Sequence, residues 1–153
     1  MQRAPEITVR EAEADDAAAM AAIHRACFPR CWDETAMRQL LAEPLCLSLV
    51  ATNRGEGDPQ AFLIVRGVAD EAELLTLGVE PAFRREGLAR ALLGATVAAC
   101  REAGAKQLFF EVEAGNDAAL HLYRSFGAVA VGGRPAYYEN GADAAILSLA
   151  LSG

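Results

Sequence analysis

The residues best suited to chemistry form an arginine- and glycine-containing segment, RREGLAR at 84–90. It follows an apolar run and opens a stretch of helical periodicity, which places it at a predicted helix N-terminus. Such a terminus presents unpaired backbone N–H groups and a partial positive charge. Gly87 would let a pyrophosphate approach those groups, and Arg84, Arg85 and Arg90 add positive charge. The segment is neither a Walker loop nor a G-x-G-x-x-G turn, and by itself R-x-x-G-x-A is better explained as an arginine-rich helix start.

Acid–base chemistry has candidates further along the chain. Glu111 interrupts a predicted apolar strand, where a carboxylate is costly unless it is paired or used. Partial burial would raise its pKa towards the range of a general base, although a solvated edge-strand position explains the residue equally well. Glu113 lies on the same strand face and is the alternative base, more typical of an exposed residue. Tyr123 shares a helical face with Ala119 and Phe126, so its phenol suits either a general acid or the core.

A metal site is the third possibility for the side chains that carry chemistry. His24, Cys27 and Cys31 are close in sequence, but their spacing matches no common zinc pattern and Cys46 stands apart. Buried cysteine in a helix is the better interpretation, so no metal is expected. His121 is near Tyr123 in sequence but points away from it on a helix, which predicts an exposed side chain.

The elements that would position these residues alternate between strand and helix patterns. Turn formers at 53–59 predict a hairpin, Pro29 interrupts the first helix, and Gly104 and Gly127 are expected to close the last two helices. The near-continuous apolar character of residues 74–79 predicts a strand buried on both faces. The whole pattern predicts an α/β fold with a mixed sheet. The predicted strands are 7–10, 46–52, 61–68, 74–79, 108–112, 129–131 and 144–151, and the predicted helices begin at Asp15-Asp16, Asp33-Glu34, Arg85 and Asn116.

Composition narrows the class of protein. The 153 residues suit one domain, and 53% hydrophobic residues can supply a core. A net charge of −7 without a basic stripe argues against a nucleic-acid partner and favours a cationic amine or basic peptide. The first ten residues lack an apolar signal core, and no apolar run reaches membrane-spanning length. Four cysteines without paired spacing complete the expectation of a cytoplasmic protein with reduced thiols and no membrane partner.

Segment 84–90 and the elements after it resemble the GNAT superfamily of acetyl-CoA-dependent N-acetyltransferases, whose motif is [QR]-x-x-G-x-[GA]. The resemblance runs from Leu74 to Leu151, through LTLGVEP at 75–81, FFEVEAGN at 109–116 and ALHLYRSFG at 119–127. The closing segment, RPAYY at 134–138 followed by Asp143-Ala144, is similar to the RimI branch. Members of that branch acetylate the N-terminal amine of a small-subunit ribosomal protein.

The resemblance implies a single GNAT domain over residues 1–153, with a mixed, mostly antiparallel sheet, a central splayed parallel strand pair and about four helices. It also implies acetyl-CoA as cosubstrate, bound without a metal. Gly78 stands where the family usually has a larger residue, so extra room or a bulge is expected there. The residues implied in coenzyme binding are Leu77, Gly78, Val79, Arg84, Arg85, Glu86, Gly87, Leu88, Ala89, Arg90 and Asn116.

By the same resemblance, Glu111 is the catalytic base and Tyr123 the general acid, in a direct attack within a ternary complex. Trp32, Tyr137 and Tyr138 would border the acceptor. Three functions stay open: a RimI-like acetyltransferase of protein N-termini, a GNAT enzyme for a small-molecule amine, and a non-catalytic coenzyme A-binding module. In the family, proline and tryptophan are usually adjacent in the acceptor-side loop, whereas the pair Arg30-Cys31 separates them here.

Overall fold

The computed structural model describes residues 6–54, 57–138 and 140–151, so Gly55 and Glu56 of the predicted hairpin turn lie outside the described residues. It divides into two units, residues 1–66 with 75–96 and residues 67–74 with 97–153. The expected single domain over the whole chain stays a prediction. Within the described residues, no helix combines the length and the apolar character that crossing a bilayer requires.

The first unit holds the N-terminal strands and helices. Three strands pair antiparallel in sequence order, with Thr8 opposite Thr52 and Leu49 opposite Leu63. The predicted bounds of the second and third strands are confirmed. The elements are β1 (Thr8–Glu11), α1 (Ala17–Cys27), α2 (Glu34–Ala42), β2 (Cys46–Thr52), β3 (Ala61–Val68), the second half of β4 (Glu71–Val79) and the first turns of α3 (Leu88–Glu102), with short 3₁₀ turns at Ala14–Asp16 and Pro81–Phe83.

The second unit contains the first half of β4 and most of the C-terminal third of the chain. Residues Glu71 to Glu73 of β4 pair in parallel with residues Gln107 to Phe109 of β5, which is the parallel pair of the sheet. The remaining pairs are antiparallel, with a bulge between Ala130 and Gly132. The elements are β5 (Gln107–Glu113), α4 (Asp117–Ser125), β6 (Val129–Arg134) and β7 (Ala144–Ala150), and the strand order is β1-β2-β3-β4-β5-β7-β6.

The predicted mixed, mostly antiparallel sheet and four helices are confirmed within the described residues. Local signals explain the helix ends: the Asp33 carboxylate accepts from the Ala36 N–H at 2.9 Å, and Asn116 caps α4 at 3.2 Å. Gly104 and Gly127 follow α3 and α4 with φ of 90° and 105°.

Asp16 has a different role from the one its position suggests. It precedes α1, as predicted, but its carboxylate does not cap that helix. It accepts instead from Arg10 Nη1 and Nη2, each at 2.8 Å, and from the Glu13 backbone N–H. The Arg10 hydrogen bonds hold the Asp16 pKa below its usual value despite burial. The pair therefore ties β1 to the start of α1.

The expectation for β4 is wrong in two respects. The strand begins at Glu71, three residues before the predicted start. The glutamates at its beginning are typical of a turn, so the sequence pattern did not indicate a strand there. Burial also alternates along the strand: Leu74, Thr76 and Gly78 are buried, whereas the residues between them are only partly covered. The strand therefore has one deeply buried face rather than two.

Helix α3 begins at Leu88, not at Arg85 as predicted. Arg85 and Gly87 have φ of 66° and 87°, in the left-handed region that no helix residue adopts. Leu88 and Leu92 face the core as expected. The residues before Leu88 therefore form a loop that leads into the helix.

The core of the first unit is built around the Phe62 ring of β3, which is fully buried. Met20, Ile23 and Met37 of the two N-terminal helices pack in the same cluster. A Cβ added to Gly78 would lie 2.8 Å from Phe62 Cε1 and 3.4 Å from Ile23 Cγ2. The expectation of extra room at Gly78 is therefore wrong, because the Phe62 ring already fills that space.

We predict that Gly78→Ala destabilises the protein by about 1–3 kcal/mol, because the buried Phe62 ring has no room to move away from a new methyl group. Gly132→Ala is the matched control, since a Cβ at this strand position has no neighbour within 4 Å. The free energy of unfolding in urea measures both variants. Equal stability of the two variants would contradict the packing argument.

Candidate functional site

The arginine- and glycine-rich segment forms an exposed loop that ends in the buried start of α3. The first helical hydrogen bond runs from the Ala91 N–H to the Gly87 carbonyl at 3.0 Å. By helix geometry, the amides from Gly87 to Arg90 precede that bond and have no acceptor within the helix. Arg85, Gly87 and Arg90 are exposed. The segment thus combines the first amides of a helix with arginine side chains, an arrangement that suits an anionic group.

The backbone conformation at Gly87 favours glycine over every other residue. Its φ of 87° is unfavourable for any residue with a Cβ, and a Cβ would lie 3.4 Å from Ile7 Cδ1. The glycine therefore keeps the backbone in a conformation that exposes the helix amides. These residues fit the pyrophosphate of a coenzyme A ester, which needs close backbone approach and positive charge.

Arg84 is used differently from the other arginines. Its Nε donates to the Val79 carbonyl at 3.4 Å, and its Nη2 lies 3.5 Å from Cys27 Sγ. The Cys27 thiol donates to the same carbonyl at 3.3 Å. Two side chains therefore fix the end of β4, the strand whose Leu77–Val79 backbone is expected to meet the thioester arm.

Two hairpin residues also hold the loop, and no sequence pattern indicates either of them. Asn53 Nδ2 donates to Glu86 Oε1 at 2.7 Å, and the Arg54 guanidinium lies 5.0 Å from the centre of the Phe83 ring. Glu86 therefore anchors the loop to the β2–β3 hairpin in this structure.

Trp32 is half-buried and lies against a histidine. Its ring stacks on His24 with centroids 4.8 Å apart, and the Trp32 backbone N–H donates to His24 Nδ1 at 3.0 Å. Burial lowers the pKa of His24 and so favours the neutral ring, whose Nδ1 can accept this bond. Arg30 and Cys31, which separate Pro29 from Trp32, are exposed. Among the described residues, no three histidine, cysteine or carboxylate side chains are placed to hold a metal ion.

In the second unit, β5 places Glu111 on the opposite face from its buried neighbours Phe110 and Val112. The Glu111 side chain is 33% exposed, and its carboxylate is 4.0 Å from the Arg134 guanidinium. Glu113, the alternative base, is half-buried and accepts from Asn140 Nδ2 at 3.4 Å. The expectation for these two carboxylates is wrong, because Glu111 is the exposed residue of β5 and Glu113 is the half-buried one. Arg134 is a partner of Glu111 that the sequence did not indicate.

Tyr123 lies on the buried face of α4. Its side chain is 5% exposed, and its ring stacks on Phe110 with centroids 4.2 Å apart. Burial, with a smaller contribution from Tyr138, raises the pKa of Tyr123 to about 12. The phenol is therefore protonated at any pH at which the protein would work, as a proton donor must be. His121, on the same helix, is exposed as predicted.

The two consecutive tyrosines after β6 lie in the same neighbourhood as the acid–base candidates. Their rings meet edge-on at 5.2 Å, and Arg134 lies 5.2 Å from the Tyr137 ring centre. Burial and then the nearby Glu111 charge raise the pKa of Tyr138. The second unit thus brings together Glu111, Tyr123 and Tyr138, which the sequence had assigned to catalysis and acceptor binding. Asn116 is engaged in capping α4.

The sequence profile of the acetyltransferase (GNAT) family matches residues 17–128. The chain belongs to this family. It is an acetyl-CoA-dependent N-acetyltransferase, and the resemblance drawn from its motifs is confirmed.

Individual relatives are also similar to the chain. The [ribosomal protein bS18]-alanine N-acetyltransferase of Escherichia coli (strain K12) is 36% identical over 115 residues, covering 67% of this chain and 78% of that protein. The crystal structure of the ribosomal-protein-S18-alanine N-acetyltransferase from Escherichia coli aligns with a TM-score of 0.87 at 32% identity, over 97% of this chain and 96% of that one. Ard1 from Thermoplasma volcanium aligns with a TM-score of 0.86 at 25% identity, over 96% and 99%.

We predict that Tyr123 is the last of the three tyrosines to ionise, near pH 12, because burial raises its pKa from 10.0 to about 12. A phenol whose pKa is raised by folding contributes stability that is complete below pH 10 and is lost as the pH rises towards about 12. Ultraviolet absorbance of tyrosinate follows the titration, and Tyr123→Phe should remove its last step. The urea-unfolded protein is the control, with all tyrosines near the ordinary value. A wild-type titration complete by pH 11 would contradict the assigned burial.

We also predict that Gly87→Ala weakens acetyl-CoA binding at least tenfold, since a Cβ strains the left-handed backbone that leads into the helix amides and would lie 3.4 Å from Ile7 Cδ1. Gly104→Ala is the matched control, with a φ of 90° at the far end of α3 and no neighbour within 4 Å. Both variants should lose about 1 kcal/mol of stability. Calorimetric titration measures the coenzyme affinity, and equal weakening in both variants would mean that the loop has no specific role.

Proposed function

We propose that the chain transfers the acetyl group of acetyl-CoA to the α-amine of a protein N-terminus, with the N-terminal alanine of ribosomal protein bS18 as the first candidate. The observation that carries this proposal is the relation to the Escherichia coli bS18-alanine N-acetyltransferase along most of both chains. The net charge of −7 also favours the approach of a cationic chain end.

Glu111 is proposed as the general base. An amine attacks a thioester only in its neutral form, so a carboxylate must take a proton from the incoming ammonium. The Glu111 side chain is one-third exposed and close to Arg134, which offsets part of its charge without covering it. Glu113 is the alternative base, and its bond to Asn140 occupies one of its carboxylate oxygens.

Tyr123 is proposed as the general acid. As the amine nitrogen forms its bond to the acetyl carbon and the carbon–sulfur bond breaks, the departing thiolate needs a proton, which the phenol supplies. A pKa of about 12 keeps that proton on Tyr123 until the thiolate forms. The reaction is a direct transfer within a ternary complex, with no covalent acyl-enzyme.

The coenzyme is proposed to lie along the first unit's loop and strand end. The amides of Gly87, Leu88 and Ala89 would bind the pyrophosphate, with Arg85 and Arg90 adding charge. The backbone of Leu77, Gly78 and Val79 would meet the pantetheine and the acetyl carbonyl. Arg84, Glu86 and Asn116 are further proposed contacts of the coenzyme. In this structure Arg84 holds the end of β4, Glu86 accepts from Asn53, and Asn116 caps α4.

Trp32, Tyr137 and Tyr138 are each proposed as contacts of the acceptor. Tyr137 is 48% exposed, and a large aromatic ring at the surface is a common contact for a peptide chain.

The deciding experiment follows acetyl-CoA-dependent thiol release with a peptide that carries the bS18 N-terminus, and with a small polyamine panel in parallel. We expect turnover on the peptide, with the mass gain at its α-amine by fragmentation. The same peptide with a blocked N-terminus should give none. Turnover on small amines alone would discard the proposed acceptor.

Three variants belong to the same experiment. Glu111→Gln should lower kcat by about 10²–10⁴, the usual contribution of a general base, while acetyl-CoA affinity stays unchanged. Glu102 is an exposed carboxylate on α3, so Glu102→Gln is the matched control and should retain full turnover. Retention of turnover by Glu111→Gln and its loss in Glu113→Gln would move the base to Glu113.

A further inference from the structure

His24 is a buried titratable group that has no role in the proposed reaction. It lies in the last turn of α1 with 3% of its surface exposed. Of the two histidines in the chain, it is the buried one. Burying an imidazole is costly unless its polar atoms are used, so its contacts indicate what it does.

These contacts reach both ends of one short segment, 28–32. The His24 carbonyl accepts from the Phe28 N–H at 2.9 Å, and His24 Nδ1 accepts from the Trp32 N–H at 3.0 Å. The imidazole ring also meets both aromatic rings, with centroids 4.4 Å from Phe28 and 4.8 Å from Trp32. One residue therefore holds the two ends of a segment that has no regular structure of its own.

The middle of that segment faces outward. Pro29, Arg30 and Cys31 are exposed, while Phe28 and Trp32 are half-buried. The two residues that separate proline from tryptophan thus protrude, and Trp32 stays fixed by its ring and its backbone N–H. Without the Nδ1 acceptor, that N–H would lose its bond and the segment would lose one of its two anchors.

We infer that His24 is a positioning residue for acceptor recognition, which fixes Trp32 through the Nδ1 hydrogen bond and the ring stack. This inference rests on the proposed function, in which Trp32 borders the acceptor. His24 touches neither substrate in this role. It sets how often Trp32 is in the orientation that binds, so its loss acts on the acceptor KM rather than on the chemical step.

Two variants separate the ring from the acceptor atom. His24→Asn keeps an oxygen close to the position of Nδ1 but has no ring, and His24→Phe keeps a ring but leaves the Trp32 N–H without its acceptor. His121→Asn and His121→Phe are the matched controls at the exposed histidine. Trp32 is the single tryptophan of the chain, so its emission reports on this segment alone.

We expect His24→Phe to raise the KM for the bS18 N-terminal peptide about tenfold, as expected for a lost bond to a half-buried N–H. His24→Asn should raise it less. In both variants kcat and acetyl-CoA affinity should stay within about twofold, and Trp32 emission should shift. The His121 variants should match the wild type in every measurement.

An unchanged peptide KM in His24→Phe would overturn the inference, even if Trp32 emission shifts. A loss of acetyl-CoA affinity in step with the rise in KM would also overturn it, because it indicates general loss of packing. If His24→Phe does not fold, His24→Asn and Phe28→Leu, which removes one ring contact, are scored by the same criteria.

The proposed function can fail separately. Wild-type protein that acetylates only small amines would refute the peptide acceptor, and the His24 variants would then be scored by the KM for that amine. A raised amine KM supports the positioning role, and an unchanged one overturns it.

Discussion

The contact between the Phe62 ring and the backbone of Gly78 constrains the packing of the first unit. Phe62 is fully buried in β3, and its ring edge occupies the space that a side chain at position 78 would need. The same ring lies 6.2 Å from the His24 ring, which in turn stacks on Trp32. One aromatic side chain therefore sets both how closely β4 approaches α1 and where the Trp32 segment is anchored. In a close-packed interior, neither can shift without the other.

Close approach of β4 to α1 has a further consequence at the strand end. It brings the Val79 carbonyl within reach of the Cys27 thiol and the Arg84 side chain. An arginine in a phosphate-binding motif would ordinarily be counted as a phosphate ligand, but here Arg84 Nε donates to a backbone carbonyl and Nη2 lies against the Cys27 thiol. Arg85 and Arg90 of the same motif are exposed and carry positive charge. The motif thus combines two tasks, and its first arginine links the strand to the loop.

Periodicity and capping residues were sufficient to predict most of the fold. Asp33, Asn116, Gly104 and Gly127 act locally, within three residues of the helix ends they define, so a sequence pattern can reveal them. The failures concern long-range packing. The absence of free space at Gly78 depends on Phe62, sixteen residues earlier on another strand, and no local pattern encodes that distance.

The same distinction applies to the candidate site. Glu111 and Tyr123 were found because family motifs mark their positions, and the structure adds the surroundings that motifs omit. Arg134 beside Glu111 lies on a strand twenty-three residues later, and His24 was considered only as a metal ligand. Their roles depend on ring stacking and hydrogen bonds across elements, which spacing along the chain does not reveal.

The alternation of β5 explains why the second unit can hold both the proposed acid and the proposed base. Successive residues on a strand point to opposite faces, so Phe110 enters the core while Glu111 stays partly in solvent. Phe110 covers the Tyr123 ring and keeps its phenol neutral, whereas Glu111 faces the Arg134 cation. Two adjacent residues thus create the contrasting environments that proton donation and proton acceptance require. A one-residue shift of β5 would exchange these faces and abolish both, so the register with β7, from Gln107 opposite Ala150 to Glu113 opposite Ala144, is a condition for the chemistry.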